Sequence, residues 1–154
     1  MKNLAEVKKL YAKKDKMHNW NHILRIKKTV KTLKKDYSNL NENILEFLIN
    51  YHGLKDYVKA NKNNFPKNYI EALLRHNKTP KTIEEKIVHD ANQLDNIGKK
   101  GIKKALAYGK MIGRTKEETF NYIRKALKNP IRFYTIEGKK LSKLAIKEMR
   151  EEIQ

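Results

Sequence analysis

The chain has 154 residues, enough for one domain with a single core. Its 36 Lys and Arg against 17 Asp and Glu give a net charge of +19, which attracts polyanions and does not specify a fold. Having no cysteine excludes disulfides, zinc–thiolate sites and cysteine nucleophiles, and no apolar run approaches the ~18 residues of a membrane span.

The first 20 residues contain no unbroken apolar run of the signal-peptide kind, so the expectation is a soluble, cytoplasmic protein with no membrane partner. The positive charge has two readings. It favours nucleotides or RNA as partners, or it follows from a composition rich in Lys, Asn and Ile. Arg, whose planar fork suits phosphate recognition, is scarce.

Residues 3–14 place Leu4, Val7, Leu10 and Tyr11 at helical spacing, with lysines between them. Asp15 is a cap for the segment that follows. Residues 18–35, HNWNHILRIKKTVKTLKK, form a second amphipathic helix with Ile23, Ile26, Val30 and Leu33 inward. His18 and His22 are four apart and share a face on such a helix. A pair like that binds a metal or lies at a solvent edge.

Asn39 and Asn41 mark a turn. Residues 42–52 are apolar nearly all round, so this helix belongs at the centre of the domain. It delivers His52, followed by Gly53, with Asp56 a turn further on. A histidine there is a hydrogen-bonded core residue or a ligand. Residues 59–66 read as a loop, Tyr69 to His76 as a short helix, and Asn77 to Pro80 as a break.

Thr82, followed by Glu84 and Glu85, carries a helix start signature. That helix runs into HDANQLDNIGKKGIKK, residues 89–104. There His89, Asn92 and Asp95 recur every third residue as a polar stripe. Gly98 and Gly101 allow close backbone approach or a break. Lys99, Lys100, Lys103 and Lys104 form either a phosphate-binding run or a solvated face. No GxxxxGK[ST] or GxGxxG is present, which excludes a P-loop or Rossmann cradle. Thr115 caps a helix to residue 128, and a closing helix starts at Ser142 with Leu144, Ala145, Met149 and Ile153 packed. No strand alternation appears, so the expected fold is all-α, one domain over residues 1–154.

Several of these stretches together carry a resemblance. HNWNHILRI, a helix ending in His52, RHN at 75–77, KIVHDANQLDNIGKKGIKK and FYTIEGKKL resemble, in order and spacing, the small phosphohydrolases of the HD-domain superfamily. Their pattern runs HDWxHIxRV, LLHD, HS, VxDADRLDAxGAxGIxR and FxTxxGRxxA. The resemblance implies a single-domain helical bundle holding one divalent metal that activates water against a phosphate ester or phosphoanhydride, with nucleotides among the substrates. It makes His22 and His52 metal ligands, with Asn92 at the last ligand position.

The match is incomplete. Gly53 stands where the family has the Asp of its HD doublet, Asn92 and Asn19 stand for Asp, Gln93 for Arg, and Lys104 for Arg. Losing two carboxylates weakens a site for Mg²⁺ or Mn²⁺. His89 and Asp95, one turn either side of Asn92, are two conceivable replacements, and a His-rich site of that sort suits Zn²⁺, Ni²⁺ or Co²⁺.

Two readings follow. One is a divergent metal-dependent phosphohydrolase of reduced, altered or lost activity, with His22, His52, Asn92 and His89 at the metal, Asp95 or Asp56 as base or water-orienting group, and His18, His76, Lys99, Lys100 and Lys104 on substrate. The other is a non-catalytic scaffold that binds a nucleotide in the pocket or RNA on its basic exterior.

Overall fold

A computed structural model describes residues 2–15 and 18–154. Among them the regular structure is entirely helical: α1 (Leu4–Tyr11), α2 (Trp20–Leu33), α3 (Glu42–Tyr51), α4 (Lys55–Ala60), α5 (Lys67–Arg75), α6 (Ile83–Leu94), α7 (Gly98–Met111), α8 (Lys116–Ala126) and α9 (Ile136–Glu152).

Helix starts follow local chemistry. Asn3 and Glu6 form a reciprocal capping box on α1, and Thr115 and Glu118 form another on α8. Thr82 caps α6 through the Glu85 amide. The cap of α2 is Asn19, which accepts from the amides of Asn21 and His22. Asp15, expected in that role, instead accepts from the backbone of His18 and meets its ring at 3.0 Å. His18 therefore lies before the helix rather than on its face.

Helices α3 and α6 occupy the centre. α6 packs against α2, α3 and α9, and α3 also meets α5 and α1. Ile23, Ile26, Leu33, Leu48, Leu73, Ile87, Val88 and Ala91 are shut away from solvent in this core. Each such large side chain contributes roughly 1.5–3 kcal/mol relative to exposure. Ile102, Phe120, Ile123, Met149 and Ile153 make a smaller cluster where α7, α8 and α9 meet.

Two polar anchors hold the elements around the centre. Asp90 on α6 accepts from the backbone amides of Tyr134 and Thr135 and from the Thr135 hydroxyl, at 2.7–3.2 Å. The same hydroxyl accepts from the Gly138 amide and so starts α9. Arg75, at the end of α5, forks onto the buried Glu85 at 2.6–3.1 Å.

Several local expectations are corrected. α9 begins at Ile136, six residues before Ser142, because Thr135 supplies the cap. Part of the stretch read as loop forms α4. The basic run lies within one helix, α7, so Gly101 marks a close backbone approach rather than a break. Leu4 and Leu144, expected to pack, are 48% and 63% exposed, since the helices bury narrower stripes than their periodicity allows.

Candidate functional site

The ends of α3 and α6, the start of α2 and the start of α4 converge on a polar cavity of about 330 Å³. His18, His22, His52, Gly53, Lys55, Asp56, Asn77, Asn92, Asn96 and Lys104 line it. Residues from five separate stretches meet here, as the concentration of histidines suggested.

His52 is the C-cap residue of the buried α3, which fixes its backbone. Its Nδ1 lies 2.8 Å from Nε2 of the fully buried His76, whose own Nδ1 lies 2.6 Å from the Leu73 carbonyl. A carbonyl only accepts, so His76 carries its proton on Nδ1. Its Nε2 is then the acceptor and His52 Nδ1 the donor. This relay engages His52 Nδ1, and the Asn92 side chain hydrogen-bonds the same ring. Burial, and then the neighbouring His76, His22 and Lys55, hold His52 well below the usual histidine range. Burial and Lys55 push His76 down to about 4.

His22 donates from Nδ1 to Asp95 at 2.8 Å, and its ring centre lies 5.6 Å from that of His52. Asp95 also accepts from Arg25 Nε and Nη2 at 2.9 and 3.2 Å and from Lys104 Nζ at 2.6 Å. Burial raises this carboxyl, but the donors from His22, Arg25 and Lys104 outweigh it and hold Asp95 well below the usual carboxylate range. With both oxygens engaged and almost no affinity for a proton, Asp95 is a poor general base. It orients His22 and Lys104 instead, which corrects its expected role.

Other expected residues divide. His18, Asp56 and Asn92 line the cavity, Asp56 at an exposed position. His76 lies behind the wall and acts through His52. His89 does not line the cavity: its Nδ1 meets Asp90 at 2.9 Å and its ring packs edge-on to Tyr134. The idea that it turns inward as a ligand is therefore corrected. Lys99 is exposed and outside the lining, and Lys100 reaches only Asp95, at 3.8 Å. Of the three lysines, Lys104 alone borders the cavity.

Two further residues complete the wall. Lys55 on α4 is half-buried and makes no ion pair or hydrogen bond among the described residues. Burial, and then Lys78 and Lys59, lower its pKa. Asn77 has a side-chain oxygen that is buried without a hydrogen-bond partner. Lys55 showed no periodic or motif signal, because it reaches the cavity from the first turn of a short helix, whereas Asn77 lies in the RHN stretch and reaches the cavity from a connecting segment.

Gly53 explains the missing acid sterically. A Cβ built there would lie 3.0 Å from Cε1 of Tyr11. The Tyr11 hydroxyl donates to the Asn50 carbonyl at 2.7 Å and accepts from the Gly53 amide at 3.2 Å. A buried aromatic from α1 thus fills the space beside the position where the family pattern has a carboxylate.

The divalent ion implied by the resemblance fits this donor set poorly. Among the described residues no group of three or more His, Cys, Asp or Glu side chains has the arrangement to hold a metal. His52 has an amide neighbour where a carboxylate ligand is expected, and Asp95 is committed elsewhere. The charge near the cavity is mainly cationic, from Lys55, Lys59, Lys78 and Lys104.

No protein-family model matches the chain, and no curated protein matches it. Solved structures do. An HD-superfamily hydrolase from Bacillus thuringiensis superposes with a TM-score of 0.73 at 22% identity, covering 97% of this chain and 90% of that one. Bacillus subtilis YpgQ, crystallised with ADP, gives 0.72 at 20% identity over 97% and 90%. The Lin1889 protein of Listeria innocua gives 0.63 at 26% identity over 99% and 94%. No helix among the described residues is long and apolar enough to cross a membrane.

Proposed function

We propose, for a chain that has the HD-superfamily fold, that the polar cavity binds a nucleotide or similar phosphorylated small molecule directly, without a resident metal. One observation carries this reading: Lys55 is a half-buried cation with no partner among the described residues, placed in the cavity wall with Lys59 and Lys78 nearby. A cation held away from water beside other cations is costly until an anion arrives. Phosphate oxygens supply that charge. The Asn77 oxygen adds an acceptor for a ligand hydroxyl, as a ribose would offer. Lys104 is held in place by Asp95 and Asn96.

ADP in the complex of YpgQ supports a nucleotide as the ligand class. The net charge of +19 raises the local concentration of any such anion. Hydrolysis is not part of this reading, because among the described residues no group of three or more His, Cys, Asp or Glu side chains is arranged to hold a water-activating ion. The test is calorimetric titration with pyrophosphate and with ADP in the presence of a chelator, for the unmodified chain and for Lys55→Gln. Binding that survives chelation and weakens about tenfold in Lys55→Gln, roughly 1.4 kcal/mol, supports the proposal. Binding that requires added Mn²⁺ or Ni²⁺ overturns it, as does phosphate release sustained by either ion. RNA binding that ADP fails to displace replaces it with the nucleic-acid reading.

A further inference from the structure

A second cavity, of about 520 Å³, lies between the end of α6 and helices α7, α8 and α9. It is separate from the histidine cluster, yet Asn96 borders both cavities. Its wall is mainly apolar and includes two aromatic rings, Tyr122 and Phe133, and Ala105 of α7. Three side-chain amides, Gln93, Asn96 and Asn129, stand among these apolar groups. Gly101 keeps the wall thin: a Cβ there would collide with the Asn96 carbonyl, so only glycine lets α7 approach the turn at residues 95–97.

We infer that this cavity takes the heterocyclic ring of a ligand whose phosphate occupies the histidine-lined cavity. The chemistry selects a flat aromatic ring with polar edges. Aromatic walls favour stacking and edge contacts with such a ring. Side-chain amides carry both a donor and an acceptor, which suit the polar edge of such a ring better than a purely aliphatic ligand. A mainly apolar pocket with a few convergent polar groups, in this size range, is the usual form of a small-molecule site. Asn96, hydrogen-bonded to Lys104 at 3.1 Å, ties the ring site to the phosphate site. The inference rests on the proposed phosphate binding, which it extends to the base of the ligand.

The test uses pyrophosphate, ADP and adenosine as separate probes on the full chain, with Ala105→Leu filling the apolar cavity. ADP is expected to bind at least tenfold tighter than pyrophosphate, and Ala105→Leu to weaken ADP about tenfold while leaving pyrophosphate unchanged. In the unmodified protein, adenosine should shift the NMR signals of Ile123 and Ile146, which line the cavity. This measurement does not depend on whether the variant folds. Equal affinity for ADP and pyrophosphate, or adenosine shifts confined to residues around His52, overturns the inference and leaves the phosphate reading intact. Adenosine shifts at Ile123 and Ile146 with no pyrophosphate binding would overturn phosphate binding and, with it, the two-cavity ligand inferred here. Absence of both removes both.

Discussion

The ring of Tyr11 lies 3.0 Å from the point where Gly53 would carry a Cβ, so the two residues share one space. A side chain at 53 requires the phenol of Tyr11 to give way by a few tenths of an ångström. Restoring the family's acid by Gly53→Asp therefore overpacks the core and is expected to destabilise the fold by about 1–3 kcal/mol. Gly53→Asp with Asn92→Asp is expected to gain no Mn²⁺ affinity while Tyr11 remains. Urea unfolding and metal titration check the pair. Tight metal binding by this double variant, at unchanged stability, would show that Tyr11 does not obstruct the position.

Asp95 has a different task from the one its position in the stripe suggested. Asp95→Asn keeps the shape and removes the charge that His22, Arg25 and Lys104 share. Breaking a buried charge network from one side is expected to cost about 3 kcal/mol, seen as a lower urea midpoint. The same change frees the His22 ring and Lys104, so pyrophosphate affinity should fall with it. A variant as stable as the unmodified chain would mean that the network contributes little.

The histidine relay makes stability depend on pH in a defined direction. His76 is pushed down from 6.5 to about 4, and His52 lies well below its usual range. The unfolded chain then binds more protons than the folded one between these limits, so stability rises with pH there. Their contribution is complete above about pH 6.5 and is lost as pH falls toward 4, with His76 alone worth on the order of 3 kcal/mol. Asp95 and Glu85, both held low, lose their contribution only as pH falls further, below the ordinary carboxylate range. Thermal midpoints from pH 7.5 to 4.5 should decline in the unmodified chain and decline less in His76→Gln. Parallel declines would remove the relay as the cause.

Asp90 ties the segment around Phe133 to α6. Asp90→Asn weakens three charge-assisted bonds to Tyr134 and Thr135 and is expected to cost about 2 kcal/mol. Because Ile131 and Phe133 border the apolar cavity, ADP affinity should fall more than pyrophosphate affinity. Hydrogen exchange at the Thr135 amide gives a local check: its protection should drop. Unchanged protection would place the restraint elsewhere.

The sequence by itself determined the helical class, most of the helices and the gathering of histidines. Those properties depend on hydrophobic period and caps, which are written locally in residues such as Thr82, Glu85, Thr115 and Glu118. It also marked Gly53 and Asn92 as departures from the family pattern. Only the tertiary structure decided what those departures meant. That Tyr11, 42 residues away, occupies the space beside Gly53, that Asp95 is spent on Arg25 and Lys104, and that His89 turns to Asp90 all depend on contacts between distant segments. Lys55 had no motif and Asn96 no periodicity, so their places in the cavity walls followed from how α4, α6 and α7 pack. Helical period reports which face of one element is buried, and only packing sets which side chains from different elements share a volume.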